Sequence, residues 1–476
     1  MKEVNKEDYS GGLNEDQNKA FNGLVEFLED PNRQLICLKG FAGTGKTYTI
    51  VRCLQYFKNK NKRKKICLTA PTNKAVTVLK KSTPEEAKDI LDFSTIHKLL
   101  GVKVSYDDDG NELFLPGKNV EIGNYDIVVI DEVSMLNDEL FYDLLEAIDP
   151  KKNSSNHRFG GSHIIKIIFM GDPKQIPPVG KVDCEPFIRP DFYGIEVLEL
   201  TKIMRQADES KILSSSIYVR ENINSSYIDF NQFNSENDLE VINTAFIESK
   251  ETLKNEVKRV FGGEEIKSNS EYAKVIAYRN VQVDSWNRII RGFYHKLPSI
   301  DLKQLIEGEL IINNKPVMEG EKILLNSNTE MMVLSFKEKA FSTNEHIETE
   351  VWGYETKVKY FDFDANKDVE MDIHILREDQ KDAYKKILNS LVNSAKFAPP
   401  IKRKWFWMQF YKAKDFFIDY SYAYAITAHK SQGSTYERVY VDVADIVRNP
   451  NLEERNRILY TSITRASKFC KLIVNK

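Results

Sequence analysis

Eight residues near the N-terminus have the types and the spacing of a phosphate-binding loop. Residues 40 to 47 read Gly-Phe-Ala-Gly-Thr-Gly-Lys-Thr and directly follow the short apolar run Leu35 to Leu38. Glycines let backbone N–H groups close around phosphate oxygens, and a helix that starts after the loop adds partial positive charge. Lys46 can reach the β- and γ-phosphates, and the Thr47 hydroxyl can hold Mg²⁺. The sequence therefore predicts a nucleoside triphosphate site that comprises Gly40, Ala42, Gly43, Thr44, Gly45, Lys46 and Thr47.

Further polar residues follow apolar runs downstream of this loop. Asp131 and Glu132 come directly after Ile127 to Ile130, and Gln175 follows the run from Ile164 to Met170. In P-loop ATPases a carboxylate at such a place holds Mg²⁺, and a polar neighbour orients or deprotonates the attacking water. The neutral amide of Gln175 could sense the γ-phosphate. These three residues are candidate catalytic groups.

Arginine side chains often stabilise the charge that develops during phosphoryl transfer. Arg205 and Arg465 are the candidates for this role. Residue type alone does not distinguish them from surface arginines. Both a catalytic role and a surface role therefore stay open for each.

Short apolar strands separated by helices must position these residues. A helix is expected from its cap at Asn14 to about Glu29, and a strand at Ile66 to Thr69 leads into Ala70-Pro71-Thr72. Such strands form parallel sheets that are buried on both faces, so the fold class is α/β. Each candidate residue follows the C-terminal end of a strand, where open α/β sheets bind their ligands.

A β-hairpin is predicted between two of these strands. Val102 to Tyr106 and Glu112 to Leu115 alternate around an Asp-Gly turn, which is a strong hairpin signal. The hairpin has few apolar residues, so we expect it to project from the first α/β unit.

A second α/β unit begins near Ile203. It includes the strand-like run Lys274 to Tyr278 and resumes at about Phe417. Residues 298 to 415 have a different character. Their strand-like runs predict a small β-barrel, followed by a helix from about Asp379 to Asn393.

Composition is that of a globular protein from a reducing compartment. The 476 residues are 41% hydrophobic, and the net charge of −3 does not by itself indicate a nucleic-acid partner. The five cysteines are dispersed and form no C-x-x-C pair. No apolar run approaches the ~20 residues of a membrane span, and no signal peptide is evident. We therefore expect a cytoplasmic protein without membrane contact.

The segment from Lys402 to Lys412 interleaves cations with aromatic side chains. Such patterns bind single strands by stacking on bases and by charge along the backbone. The alternative, which we favour, is an amphipathic helix that packs the β-rich region onto the second α/β unit, because many large aromatic residues are rarely left exposed.

The ordered motifs of the chain resemble those of superfamily 1 helicases of the 5′-to-3′ branch, most closely the Dda-like and RecD-like helicases. The segments that carry this resemblance are residues 13–17, 40–47, 69–75, 94–97, 129–135, 171–179, 200–206, 425–434 and 459–466. The opposite-polarity branch usually has a tyrosine after its Gly-Asp-x-x-Gln motif. Here Ile176-Pro177-Pro178 follows Gln175, which argues against that branch.

The resemblance implies two RecA-like P-loop domains with ATP and Mg²⁺ between them and single-stranded DNA across their top. The first would span residues 1–202 and carry a pin hairpin at about 101–123. The second would comprise 203–297 and 417–476, and an SH3-like β-barrel insertion with a helical extension would occupy 298–416. Forked duplex DNA, single-stranded-DNA-binding proteins and replication or recombination proteins would be its partners, and we expect a monomer.

The resemblance also implies roles for individual residues. Gln17 would read adenine, and Gly433 would lie in the loop that couples nucleotide to DNA. Arg205 and Arg465 would reach the γ-phosphate from the second domain. The residues for phosphate, metal and water would be Lys46, Thr47, Asp131, Glu132 and Gln175. The residues along the DNA path would be Pro71, Thr72, His97, Thr427, His429 and Lys430.

Two other functions fit part of this pattern. An ATP-gated nucleic-acid clamp or remodelling ATPase would hydrolyse ATP without processive unwinding, although it would have no need of a hairpin that splits duplex. The motor subunit of a helicase–nuclease would need a separate nuclease chain, because no added run of acidic and histidine residues has nuclease spacing. RNA stays open as a substrate.

Overall fold

A computed structural model describes residues 5–106, 112–116, 120–149, 164–178, 180–203, 210–233, 237–319, 322–342, 350–362, 365 and 367–475. Within the first 203 residues the described strands are β1 (Leu35–Gly40), β2 (Ile66–Ala70), β3 (Asp92–Thr95), β4 (Val102–Tyr106), β5 (Glu112–Pro116), β6 (Ile127–Ile130), β7 (Lys166–Gly171) and β8 (Glu196–Leu200). One parallel sheet has the order β3-β2-β6-β7-β1-β8, while β4 and β5 form an antiparallel hairpin.

The remaining strands form a second parallel sheet, an antiparallel sheet and a two-stranded ribbon. They are β9 (Leu239–Asn243), β10 (Ala273–Ala277), β11 (Leu310–Asn313), β12 (Val317–Glu319), β13 (Lys322–Leu325), β14 (Glu330–Ser342), β15 (Glu350–Asp362), β16 (Lys367–Leu376), β17 (Tyr420–Tyr422), β18 (Ala425–Thr427), β19 (Tyr436–Asp442) and β20 (Ala466–Val474). The parallel sheet has the order β18-β10-β19-β20-β9, and the antiparallel sheet has the order β16-β15-β14-β11-β17.

Helices connect the strands and cover the parallel sheets. Those of the first unit are α1 (Glu7–Ser10), α2 (Glu15–Glu29), α3 (Lys46–Lys60), α4 (Asn73–Ser82), α5 (Glu85–Lys88), α6 (Ile96–Leu99), α7 (Asp138–Ala147) and α8 (Glu185–Ile188). Those that follow are α9 (Lys211–Glu221), α10 (Ile247–Phe261), α11 (Glu264–Ser268), α12 (Asn280–Tyr294), α13 (Lys381–Phe397), α14 (Pro400–Lys414), α15 (Ala428–Ser431), α16 (Val443–Ile446) and α17 (Leu452–Ile463).

Apolar runs in the sequence become the central strands of the first sheet, which confirms the predicted α/β class. Strands β2 and β6 are buried along their whole length because helices pack on both faces of the sheet. Strand β7 begins two residues later than predicted. The edge strand β8 was not predicted, since its glutamates interrupt the apolar pattern and its first two residues are exposed.

The predicted hairpin is present as β4 and β5, and Val102 pairs with Pro116 at its base. Val102 is buried in the first unit's core. The Asp-Gly turn between the two strands lies outside the described residues.

The β-rich region is an antiparallel sheet whose strands β14 and β15 are each 13 residues long. Strand β17, beyond the predicted end of this region at residue 416, pairs with β11. Strands β12 and β13 pair separately as a two-stranded ribbon. Closure of these strands into an SH3-like barrel stays a prediction.

All five cysteines are buried and free, as expected for core residues. No helix in the described part of the chain is long and apolar enough to cross a membrane.

Candidate active site

The phosphate loop connects β1 to α3, as the sequence predicts. Gly43 and Gly45 have φ values of 83° and 82°, in the left-handed region that favours glycine, and Gly45 is the N-cap of α3. The carbonyl of Thr44 accepts a hydrogen bond from Gln17 Nε2 at 3.0 Å. Gln17 Oε1 in turn accepts from the Asn14 backbone N–H in a capping box, so the buried Gln17 amide fixes the loop against the start of α2.

The Lys46 ammonium lies inside the loop. Its Nζ donates to the carbonyl oxygens of Gly40 at 2.6 Å and of Phe41 at 3.2 Å. Thr47 is half-buried in the first turn of α3. A terminal phosphate at this place could replace the two carbonyls as the partner of Lys46.

Two adjacent carboxylates follow the end of β6, and the charge of Lys46 acts on the first of them, Asp131. Burial, and then the neighbouring charge of Glu132, raises the pKa of Asp131 to about 7, although Lys46 acts in the opposite direction. Glu132 has a left-handed backbone with φ of 50°, and its N–H donates to Asp131 Oδ1 at 2.8 Å. A half-buried carboxylate pair of this kind is suited to an additional cation.

The residues present fit Mg²⁺ rather than a metal held by protein groups alone. Within the described ranges there is no cluster of three or more His, Cys, Asp or Glu side chains that could hold a metal. Mg²⁺ is commonly bound through one or two carboxylates together with the phosphates of a nucleotide. Asp131 and Thr47 are such a partial set.

The segment after β7 contacts both the phosphate loop and α17, a helix of the second unit. Tyr460 Oη donates to Asp172 Oδ2 at 2.6 Å, and the Ala42 N–H lies 3.2 Å from the same oxygen. Gln175 is only 4% exposed, and its buried Oε1 has no hydrogen-bond partner. The carbonyl of Gln175 accepts from Arg457 Nη1 at 3.3 Å. Gln175 is therefore held at the boundary of the two units.

Arginines from the second unit reach the same region. Arg465 Nη1 is 3.9 Å from Glu132 Oε1, and its Nε donates to the Thr461 carbonyl. Arg220 of α9, which the sequence analysis missed, lies over the Phe41 ring with its Cζ 3.9 Å from the ring centroid. Arg205 lies outside the described residues.

Asp172 and Tyr460 lie in the segments 171–179 and 459–466 that carry the family resemblance, although the sequence assigned neither of them a role. Arg220 had no distinguishing signal in the sequence. Tyr460 and Arg220 reach the loop through tertiary packing, since each lies more than 150 residues away from it along the chain.

The predicted DNA-path residues of the first unit lie together at one edge of its sheet. Ala70 of β2 is paired with Thr95 of β3, so Pro71 and His97 follow neighbouring strand ends. Burial lowers the pKa of His97, and a hydrogen bond with the Pro71 backbone only partly opposes this shift. The Thr72 hydroxyl accepts from the Ala75 N–H and caps α4.

Those of the second unit follow β18. Thr427 caps the short helix α15. Lys430 Nζ donates to Asn314 Oδ1 of the β-rich region at 2.5 Å, and burial lowers the pKa of Lys430. Burial also lowers the pKa of His429, which lines a cavity of about 530 Å³ together with Pro177 and other residues of both units.

Gly433 is in direct contact with the first unit. Its φ is 68°, and a Cβ there would lie 2.7 Å from the Ala75 Cβ of α4. A larger residue would force the two units apart at this point. The contact joins the loop after α15 to the helix that Thr72 caps.

A buried ion network joins three parts of the chain. The Glu330 carboxylate of β14 accepts from Lys74 of α4 at 2.8 Å and from Lys274 of β10 at 3.2 Å. Lys74 Nζ also donates to Tyr436 Oη. Burial alone would raise the pKa of Glu330, yet the two ammonium groups hold it at about 2. The network ties both parallel sheets to the β-rich region.

Two family models match the chain. One describes an AAA domain and matches residues 27–181, which contain the phosphate loop, Asp131 and Gln175. The other describes a UvrD-like helicase C-terminal domain and matches residues 422–473, which contain Gly433 and Arg465.

Curated relatives match nearly the whole chain. An uncharacterized protein of Acanthamoeba polyphaga mimivirus is 29% identical over 96% of this chain and 98% of that protein. The ATP-dependent DNA helicase dda of Enterobacteria phage T4 is 25% identical over 95% of this chain and 97% of that protein. The RecBCD enzyme subunit RecD of Buchnera aphidicola is 24% identical over 92% of this chain and 69% of that protein. These matches and the order of the motifs confirm the resemblance of the chain to superfamily 1 helicases of the 5′-to-3′ Pif1, RecD and Dda type.

Proposed function

We propose that the chain is an ATP-dependent DNA helicase that moves 5′ to 3′ on single-stranded DNA and separates duplex strands. The observation that carries this proposal is that groups from both parallel sheets meet at the phosphate loop. Tyr460 shares Asp172 with the Ala42 N–H, and Arg465 faces Glu132. Binding and release of a nucleotide there would change how the two units fit together.

For the ATP site we assign roles by position. Lys46 neutralises charge on the β- and γ-phosphates, and Glu132 orients and deprotonates the attacking water. Thr47 and Asp131 hold Mg²⁺, which offsets phosphate charge. Gln175 accepts a hydrogen bond from that water through its unpartnered buried Oε1, and its Nε2 is the group that can donate to the γ-phosphate. Arg465 and Arg205 stabilise the negative charge that develops on the transferred phosphoryl group in the transition state.

Gln17 has a different role from the one the family suggests. Its Nε2 is bonded to Thr44 and its Oε1 to Asn14, so both ends of the amide already have a protein partner. These two bonds support a role for Gln17 in holding the phosphate loop. Gln17 could bind adenine only if one of the two bonds were broken.

DNA would be held at two places whose separation varies with nucleotide state. Pro71, Thr72 and His97 form the first, and Thr427, His429 and Lys430 form the second. Both histidines are half-buried, and with a pKa lowered from the ordinary value they are neutral at pH 7, so they would bind strand atoms as hydrogen-bonding or packing groups. The Gly433 contact with α4 would transmit motion between the two places.

The β4–β5 hairpin would serve as the pin that separates duplex strands, and the β-rich region would be the SH3-like domain beside it. The competing function is an ATP-gated clamp that hydrolyses ATP without unwinding. Both functions predict DNA-stimulated ATPase, and only the helicase predicts separated strands.

The discriminating experiment uses forked duplexes with a single 5′ or 3′ tail, made of DNA or of RNA. We expect ATP-dependent strand separation with the 5′ DNA tail and little with the 3′ tail. ATP hydrolysis stimulated by every fork, with no strand separation on any of them, would favour the clamp.

A further inference from the structure

The helical hairpin formed by α13 and α14 carries a large positive charge. Residues 381–414 contain nine Lys or Arg and one acidic residue, Asp382, which is a net charge of +8. Because the whole chain has a net charge of −3, all other residues together sum to −11. A concentration of cations on one element of an acidic protein points to an anionic partner.

One face of this hairpin is used for packing. Trp407 and Tyr411 are buried against Ala395 of α13. Tyr384 and the adjoining apolar residues pack on Phe341 of the antiparallel sheet. The aromatic segment of α14 thus packs in part as an amphipathic helix, and these contacts are with α13 and the antiparallel sheet. Packing of the β-rich region onto the second α/β unit by this helix stays a prediction.

The other face leaves large apolar residues exposed. Ile401 is 96% exposed, Trp405 38% and Met408 47%, and the adjoining Phe397 at the end of α13 is 86% exposed. The spacing of four and three residues places Ile401, Trp405 and Met408 along one side of α14, and Phe397 ends α13 three residues before α14 begins. Single exposed apolar residues are ordinary, whereas a continuous stripe marks an interaction site.

Cations flank the exposed stripe. Lys402 and Lys404 are exposed, and Arg403 beside them is half-buried with a buried Nε that has no hydrogen-bond partner. Aromatic and apolar platforms bordered by cations bind single-stranded nucleic acid, because the bases stack while the phosphates are neutralised. A duplex presents its phosphates without exposing base faces, so it would leave the apolar stripe unused.

We propose that the stripe Phe397, Ile401, Trp405 and Met408, with Lys402 and Lys404, binds single-stranded DNA at a place separate from the cleft between the parallel sheets. The proposal rests on the helicase function, because unwinding supplies a second single strand beside the one on which the motor moves. Trp405 stacks on a base, and the two lysines contact successive phosphates.

The test measures binding of fluorescein-labelled oligothymidylates by the full chain. One has about eight nucleotides, within the 4–16 that a single binding surface commonly covers, and the other is three times longer. The variants are Lys402→Glu with Lys404→Glu, and Trp405→Ala. The matched control is Lys254→Glu with Lys258→Glu, which reverses two exposed lysines on α10.

We expect the charge-reversal pair to weaken binding of the long strand about tenfold and to lower its salt dependence by about 1.4, the value for two phosphate contacts on single strands. Trp405→Ala should weaken it by about tenfold as well. Binding of the short strand and its stimulation of ATP hydrolysis should not change, and the α10 control should bind both strands normally.

Several outcomes would overturn the proposal. Equal loss for both strands would place α14 in the motor's own DNA track, and no loss for the long strand would remove DNA as its ligand. Binding to phosphatidylserine–phosphatidylcholine vesicles that depends on Lys402 and Lys404, with long-strand binding unchanged, would make it a membrane surface. Failure of the short strand to stimulate ATP hydrolysis in the unaltered chain would instead contradict the helicase function.

Discussion

Lys46, Asp131 and Glu132 place one cation and two carboxylates in a half-buried site. Burial raises the pKa of Asp131, and the Lys46 charge offsets only part of that effect. Loss of the lysine and loss of a carboxylate have different consequences for ATP binding and hydrolysis. If Lys46 is replaced by a neutral residue, the phosphates lose their counter-charge in the loop. If Glu132 is replaced by a neutral residue, Lys46 still supplies that counter-charge.

Glu132→Gln should therefore reduce ATP hydrolysis without abolishing ATP binding. A general base contributes about 10²- to 10⁴-fold to a rate, so we expect the turnover number to fall within that range. Single-turnover hydrolysis and fluorescent-nucleotide binding would be measured on the same preparation.

Lys46→Ala is the comparison variant, and it should lose hydrolysis completely. Substantial turnover in Lys46→Ala would contradict the assignment of the loop. Equal loss of nucleotide binding in Glu132→Gln would show that Glu132 has a structural role.

Tyr460→Phe tests the connection between the two units with the removal of one oxygen atom. The change deletes the bond from the second unit to Asp172, which follows β7, and the contact of the second unit with the Ala42 N–H of the loop. We expect a loss of stability of about 1–2 kcal/mol. DNA should also stimulate ATP hydrolysis less, because α17 no longer contacts the phosphate loop through this hydroxyl.

The matched control is Tyr440→Phe. Tyr440 is also buried and donates to a carboxylate, Glu256 Oε1, at 2.8 Å, but both residues lie within the second unit. A similar drop in melting temperature is expected for both variants. If Tyr440→Phe lowered the DNA stimulation of ATPase as much as Tyr460→Phe, the effect would be one of stability alone.

The contrast between Lys46 and Tyr460 shows which site residues a sequence can reveal. Lys46 is recognisable because the glycines that position it are its immediate neighbours. Tyr460 and Arg220 reach the loop only because α17 and α9 pack against the first unit, and nothing in their local sequence encodes that packing.

At the scale of elements, the β4–β5 hairpin is the one described pair of strands that extends from the first unit without joining its parallel sheet. Replacing residues 103–115 by a two-residue Asn-Gly turn is geometrically allowed, since Val102 and Pro116 are directly paired. Val102 stays in place because it packs in the core.

We expect this shortened variant to retain DNA-stimulated ATPase and to lose strand separation on a 5′-tailed fork. The physical reason is that a motor without its wedge still moves but no longer divides the duplex. Joint loss of ATPase and of cooperative thermal unfolding would instead identify the hairpin as a core element.

The ion network at Glu330 is an element-scale contact that joins α4 of the first unit and β10 of the second unit to β14 of the β-rich region. Glu330→Gln keeps the shape of the side chain but leaves Lys74 and Lys274 as buried cations without their counter-charge, and Lys274 is only 1% exposed. Breaking a buried pair costs about 3–5 kcal/mol. Calorimetry should show a lower melting temperature, and adding Lys274→Met should recover part of the loss.

Glu355→Gln is the control for that prediction. Glu355 pairs with Lys339 at 3.1 Å on the surface of the same antiparallel sheet, where both side chains are more than 40% exposed. An exposed pair contributes about 0–1 kcal/mol. If both variants lowered the melting temperature equally, the Glu330 network would contribute no more than a surface ion pair.

Elements with a clear hydrophobic pattern could be predicted from the sequence. Elements defined by pairing with strands far away along the chain could not. β6 is an uninterrupted apolar run and has the predicted bounds. Strand β17 belongs to the antiparallel sheet only because it pairs with β11, more than 100 residues earlier. In α14 the aromatic residues are divided between a buried and an exposed face, a division that the all-round aromatic pattern of its sequence conceals.

At the scale of the whole molecule, motion requires that nucleotide state change the distance between two DNA-holding places. The contacts at Tyr460, Arg465 and Gly433 provide three points where closing of the cleft would be sensed. An opening and closing cleft gives motion, but the direction depends on which unit holds the strand tightly while the cleft is closed. Geometry in one state does not supply that sign.

The direction is therefore predicted from the family and tested on the intact chain. We expect ATP-driven movement to displace streptavidin from a biotin at the 3′ end of a single DNA strand and to leave streptavidin at the 5′ end in place, since a motor that runs 5′ to 3′ collides only with the former. Glu132→Gln should displace neither block, which separates translocation from passive dissociation. Displacement from the 5′ end alone would reverse the assigned polarity, because the segment Pro177-Pro178 after Gln175 would then no longer distinguish the two branches.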